Sequence, residues 1–409
     1  MKRRELPATP DTLEAPAGPA GIRPARTEVW PVFAVISLVG TFAFVVGYTY
    51  PALSFAMEAA GFSKTAIGWQ TAMSGIGVAV SALLTPPLAM RVGAWRLGVA
   101  TGLATVLLLL SFGLTEPGWA WYVIRFLLGM AISTLFVLSE TWLNELAPPA
   151  LRGRLVAMYT TTVAAMFGVG PLLIPYVGYE GSTPFVVVSA ITALMLVPLY
   201  FIRTKVPPLE RAPMQDLVAV FWIIPVLILA VATFGMFDGA IMGLWVVYVV
   251  DLGHSDHLAS WTLGASILGN LFLQLPIGWL ADRISRKLLL AVCAGAGVGG
   301  AALLPFLDLG AFYIWPYLMI WGGLCFGTYT IALTLLGEHL TGARLVAANA
   351  AFGLMWGIGA VVGGAAAGGL MDGVGPIGLP GFITVIFLIL FIATLLIAPV
   401  RGAAGRAVR

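Results

Sequence analysis

Twelve stretches of this 409-residue chain are long and apolar enough to cross a lipid bilayer as helices, for which about 20 residues suffice. This constrains the fold more than any other feature. A segment in hydrocarbon has no water to satisfy its backbone, so it must form a helix or join a closed barrel. Runs of this length without strict alternation point to helices. The expected spans are roughly 30–58, 64–90, 94–114, 118–145, 152–177, 183–202, 217–250, 257–281, 287–306, 311–338, 343–371 and 379–399, each with ends uncertain by a few residues. Composition agrees: 60% of residues are hydrophobic and 10% charged, against about 25% charged in soluble domains. A water-soluble enzyme is excluded. The 49 glycines suit close packing of membrane helices. Cys293 and Cys325 both fall inside apolar runs, so no disulfide framework is expected.

Charge sets the orientation. With the N-terminus in the cytoplasm, all but two of the 21 lysines and arginines fall on the cytoplasmic side; the exceptions are Lys64, at the outer face, and Arg125, inside a helix. One extra or missing span would scatter this pattern. A repeat then divides the chain. Shifting the first half by about 192 residues places Gly61-Phe62-Ser63 on Gly253-His254-Ser255, Trp69 on Trp261, and Gly77 on Gly269. Slightly different shifts place Arg154-Leu155-Val156-Ala157 on Arg344-Leu345-Val346-Ala347, and Met166–Gly170 on Met355–Gly359. The expected organisation is a disordered cytoplasmic tail (1–28), a six-helix bundle (29–202), a cytoplasmic linker (203–216), a second six-helix bundle (217–400) and a short cytoplasmic tail (401–409).

This layout of parallel repeats resembles the major facilitator superfamily. Gly278-Trp279-Leu280-Ala281-Asp282-Arg283-Ile284-Ser285-Arg286-Lys287 is similar to that family's cytoplasmic-loop signature, with Ser285 in place of the usual glycine. The first-half copy, Pro86–Arg96, has Met90 where the acid would stand. Arg125-Phe126-Leu127-Leu128-Gly129 resembles the family's intramembrane arginine motif, and Gly170-Pro171 is a fragment of its antiporter motif. Glu140-Thr141-Trp142-Leu143-Asn144, Arg152-Gly153-Arg154-Leu155, Pro276-Ile277-Gly278 and Leu345-Val346-Ala347 resemble the YcaD-like branch of bacterial facilitators. The resemblance implies an all-α membrane protein of two pseudo-symmetric six-helix bundles with a central site. It also implies a conformational latch in which Asp282 holds another helix N-terminus, near Arg152, Gly153 and Arg154, with Gly278, Arg283, Arg286 and Lys287 around it. Tyr48, Tyr50, Met236, Trp245 and Tyr329 would line the cavity, although packing explains each of them equally well.

Charges inside the membrane are costly and mark function by default. Asp238 lies near the middle of its helix, which contains no lysine or arginine. It reads either as a reversible proton binder or as an acid bonded to neighbouring helices. Arg125 reads as a structural pair, a side chain snorkelling to the nearby outer interface, a substrate-anion site or an element that tunes an acid. Glu140 lies fifteen residues along the same helix from Arg125, about 22 Å away, so the two cannot pair; Glu140 either pairs with Arg152 and Arg154 or lines the inner vestibule. Glu145 and Glu338 read as helix-end pairing partners. His254 and His257, with Asp251 and Asp256, read as a solvated loop rather than a metal site. Gln70, Asn270 and Gln274 need polar partners.

No P-loop lysine motif, metalloprotease helix, Gly-x-Ser-x-Gly elbow or haem attachment site is present. No cofactor, metal, catalytic residue or nucleic-acid partner is expected. The chain reads as a monomeric secondary active transporter in a bacterial cytoplasmic membrane, moving a small organic solute by alternating access with protons as the driving partner. Gly170-Pro171 and the aromatic-rich helices favour efflux of partly hydrophobic compounds, while Arg125 leaves an organic anion open. A transporter-like sensor or ligand-binding protein without net transport is the second class.

Overall fold

The computed structural model describes residues 29–146, 151–203, 217–281, 283–340 and 342–397. Among them are twelve helices long and apolar enough to span a membrane. They are α1 (Val29–Ala59), α2 (Lys64–Val92), α3 (Ala94–Gly113), α4 (Trp119–Leu146), α5 (Arg152–Val177) and α6 (Thr183–Leu196), then α7 (Pro225–Asp251), α8 (Asp256–Ala281), α9 (Arg286–Leu303), α10 (Ile314–His339), α11 (Gly342–Val374) and α12 (Gly378–Leu396). The described residues contain no strand.

The ends agree with the sequence expectation to within a few residues, with two differences. The expected single span 217–250 is broken into a short helix, Leu217–Ile223, and α7. Pro225 has no N–H and disfavours helical backbone at the residue before it, so Ile224 leaves the helix (φ −124, ψ 52) and proline opens α7. Likewise α6 ends at Leu196, and a short turn, Pro198–Phe201, completes the expected segment. Pro51, Pro171, Pro175 and Pro276, by contrast, sit inside continuous helices. Neighbouring helices support such positions in membrane proteins.

The repeat found in the sequence has a physical cause at its matched glycines and serines. Gly61 (φ 78) and Gly253 (φ 84) take the left-handed backbone that ends α1 and α7. Two residues on, Ser63 accepts from Ala66 N and Ser255 from Leu258 N, capping α2 and α8. Gly77 lets α2 lie against the Phe126 carbonyl of α4; Gly269 does the same for α8 against Met319 of α10. Gly170 of α5 meets Gly47 of α1, and Gly359 of α11 meets Gly235 of α7. A side chain at these points would enter backbone atoms, so the matched glycines mark matched helix crossings.

In the first half α1 packs on α5 and α4, α2 on α4, and α3 on α4 and α6; in the second, α7 packs on α11, α8 on α10, and α9 on α12 and α10. The halves meet through α2 with α11, α5 with α8, and α1 with α7. α1 and α7 are the most enclosed helices, with 78% and 83% of their apolar windows buried against about a third for α2, α5 and α8. The central axis therefore runs beside α1 and α7. The close approaches between halves lie toward the face that carries the α1–α2 and α7–α8 connections: Gly368 on Lys64, Gly364 on Gly68, and Gly75 on Val361, where an added Cβ would come within 3.1 Å. Toward the terminal face the contact loosens. A Cβ on Gly357 would stand 3.6 Å from Gly75 O and 3.7 Å from Ala79, and one on Gly353, one turn further on, would meet no described atom within 4 Å.

Candidate functional site

Asp238 and Arg125 lie on opposite halves of the molecule and face the same tyrosine. Arg125 of α4 is fully buried. Its Nη1 donates to Thr49 Oγ1 at 2.5 Å, and its guanidinium carbon stands 3.8 Å from the centre of the Tyr50 ring. Thr49 and Tyr50 both belong to α1, so a single turn of that helix supplies a hydroxyl and an aromatic face to the cation. Ser54 Oγ donates to Gly243 O of α7 at 2.6 Å, which fixes α1 against α7 and brings Tyr50 to the level of Asp238. Tyr50 is within electrostatic reach of both Arg125 and Asp238. Asp238 is 8% exposed and accepts from Trp356 Nε1 of α11 at 3.2 Å. No described lysine or arginine pairs with it. A carboxylate and a guanidinium thus approach one aromatic residue across the joint between the halves without forming an ion pair.

The site opens toward the terminal face. Glu140, deep along α4, is solvent-exposed although it lies within electrostatic reach of Tyr159 on α5 and Tyr329 on α10. An acid both exposed and surrounded by three helices lines a vestibule. Aromatic rings pack around this level: Tyr329 lies on Phe234 at 5.1 Å and on the buried Phe352 at 6.4 Å, and the buried Phe42 lies on Phe136 at 4.8 Å. Met236 is partly buried and crosses Gly363 of α11 through its backbone. Two of the expected cavity residues turn elsewhere. Tyr48 is fully buried and donates to Gly178 O at 2.7 Å, tying α1 to the end of α5. Trp245 donates to Thr262 Oγ1 at 3.0 Å and packs on Trp321, inside the second half.

At the terminal face the expected latch is seen in part. Asp282 lies outside the described residues, and Arg152 is described only as the first residue of α5. Arg283 stacks over Trp279 at 3.7 Å, Arg286 pairs with Glu338 of α10, and Lys287 Nζ reaches Leu395 O at 3.4 Å. Ser285, where the family usually has glycine, caps α9 by accepting from Leu288 N at 3.1 Å. A Cβ on Gly278 would meet no described atom within 4 Å, and Arg154 is exposed.

A polar lock at the opposite face was missed from sequence. Asp372 of α11 accepts from Lys64 N (2.9 Å), Thr65 N (2.8 Å) and Thr65 Oγ1 (2.6 Å), so the second half caps the first turn of α2. Lys64 Nζ bridges Glu58 of α1 at 2.5 Å and Asp251 of α7 at 2.9 Å. Tyr179 donates to Asp256 at 2.7 Å, and burial together with that carboxylate raises its phenol above the usual range, which keeps it a donor. The signal was there in Lys64, the one cation out of place by the charge rule. Its acidic partners lie in three other helices, which no local motif could reveal.

Residues 33–247 and 227–408 match the Major Facilitator Superfamily. Among curated relatives, the MFS-type transporter YfkF of Bacillus subtilis is 24% identical over 83% of this chain and 88% of its own length. The MFS-type transporter YcaD of Escherichia fergusonii is 26% identical over 72% of this chain and 78% of its own. Among solved structures, the nucleoside transporter NupG superposes with a TM-score of 0.72 at 14% identity, covering 90% of this chain and 100% of NupG; a mutant form of NupG gives 0.74. Two six-helix halves, a central polar site between them and these matches together place the chain in the Major Facilitator Superfamily, as a multi-pass membrane transporter and not an enzyme.

Proposed function

We propose that this protein is a proton-coupled secondary transporter that moves a small, partly hydrophobic organic solute across the bacterial cytoplasmic membrane by alternating access. The observation that carries this reading is Asp238: buried in α7, opposite Tyr50 of the other half, and with no described cation beside it. Such a carboxylate can gain and lose a proton as the halves change their exposure. The two halves, 29–202 and 217–400, act as the rocking units, in a monomer with both termini in the cytoplasm. The aromatic rings packed around the level of the vestibule support a solute with an apolar body. The Gly170-Pro171 fragment of α5 supports efflux. Asp282, with Arg152 and Arg154 of α5, latches that face when the halves close there.

The test is flux in proteoliposomes holding the full chain, with an imposed pH gradient and labelled organic anions, cations and nucleosides. The wild type should accumulate a solute down the proton gradient. Asp238→Asn should lose that accumulation and still exchange solute across the membrane. Accumulation driven by pH in Asp238→Asn would overturn the coupling assignment, and a wild type that binds solutes without net flux would make the protein a sensor.

A further inference from the structure

Arg125 has more binding capacity than the protein uses. A guanidinium has five N–H donors in a fixed plane. Nη1 is engaged by Thr49, and one face of the guanidinium by the ring of Tyr50, whose hydroxyl also comes within reach. Nε and Nη2 have no hydrogen-bond acceptor among the described residues, although both are fully buried. These two atoms lie on the same edge of the guanidinium, the edge that matches the two oxygens of a carboxylate. Several buried hydroxyls elsewhere in the helices also lack partners among the described residues, but they are neutral, and an uncompensated buried charge is far costlier.

Two further orphan groups lie at the same depth. Gln70 of α2 is fully buried, and among the described residues neither its amide nitrogen nor its amide oxygen has a geometrically formed hydrogen bond; the same holds for Ser74 Oγ, one turn on. The alignment of α2 with α4 is set by Tyr122 Oη donating to Ala66 O at 3.0 Å and by Gly129 lying on Ser74. That alignment brings Gln70 and Ser74 to the level of Arg125. Arg125, Gln70 and Ser74 thus share one level where α2 and α4 meet beside α1, and Ser74 also lies within reach of the Tyr50 hydroxyl.

We infer that Arg125, Gln70 and Ser74 form the seat for the carboxylate of the cargo, which is therefore a monovalent organic anion with an apolar or aromatic body. This rests on the transport reading above. A single cation balances a single negative charge. Asp238, on the other side of Tyr50, opposes a doubly charged group such as phosphate. The aromatic rings around the level of the vestibule receive the rest of the molecule.

The experiment is thermal stabilisation of the purified full chain at constant ionic strength, since a ligand that binds the folded state raises its stability as RT ln(1+[L]/Kd). The probes are benzoate, phenylacetate and octanoate, with benzamide, benzylamine and inorganic phosphate as contrasts. At least one of the three carboxylates should stabilise the protein, and none of the contrasts should match it. Arg125→Gln should weaken that carboxylate about tenfold or more, and Arg125→Lys nearly as much, because a point charge lacks the planar fork. Should either variant fail to fold, Gln70→Leu and Ser74→Ala provide the test, each weakening the carboxylate about threefold or more. Stabilisation by benzamide or benzylamine equal to that by the carboxylates would overturn the assignment. So would carboxylate binding insensitive to all of these variants, or no stabilisation by any carboxylate. Asp238→Asn separates this inference from the coupling reading: it should keep carboxylate binding while losing accumulation. Carboxylate binding without flux would refute transport alone, and pH-driven flux confined to nucleosides would refute the anion seat alone.

Discussion

Replacing Asp372 with alanine should tip the molecule away from the arrangement described here. The carboxylate accepts three hydrogen bonds from the first turn of α2, at 2.6 to 2.9 Å, and comes from the opposite half. The bonds exist only while the halves are closed at this face, so their loss acts on that state alone. Removing a capping side chain costs about 0.5–2 kcal/mol, and losing a negative charge at a helix N-terminus costs about 0.3–1 kcal/mol. Asp372 is exposed, so screening reduces both contributions. A net shift of about 1–2 kcal/mol remains, a change of roughly 5- to 30-fold in the balance between closed and open. Spin labels on cysteines replacing Trp119 and Phe312, which are 81% and 87% exposed on the two halves at this face, report the opening as a distance distribution. Cys293 and Cys325 are fully buried and should not take up label. The longer-distance population should rise in Asp372→Ala and rise less in Asp372→Asn, which keeps one acceptor oxygen. A folded Asp372→Ala protein with the wild-type distribution would refute the reasoning.

Two predictions concern stability. Gly269→Val should destabilise the protein by about 3 kcal/mol or more, because its Cβ meets the Met319 backbone, which cannot give way; Gly278→Ala, with nothing within 4 Å, should be near neutral, and thermal unfolding of the pair checks the contrast. Tyr48→Phe should cost about 0.5–1.5 kcal/mol through the lost bond to Gly178 and leave transport intact; a transport defect beyond its stability loss would return Tyr48 to the solute path.

The sequence by itself determined the number of spans, the repeat and the family. Each is written in features that recur locally: apolar runs of membrane length, glycine and serine at helix ends, and small residues at crossings. It also singled out Asp238 and Arg125, because a charge in an apolar run is conspicuous without any knowledge of neighbours. Only the tertiary structure decided what those charges face. Tyr48 and Tyr50 are two residues apart on α1, yet one turns to the end of α5 and the other to Arg125. Residues two apart on a helix point in directions about 200° apart, and only the placement of the partner helices says which direction is the central axis. Gln70 needs a polar partner by its sequence alone, but only the placement of α4 beside α2 puts it at the level of Arg125. The lock on Lys64 draws its acids from α1, α7 and α11, and a pairing spread over distant helices leaves no periodic trace in the chain.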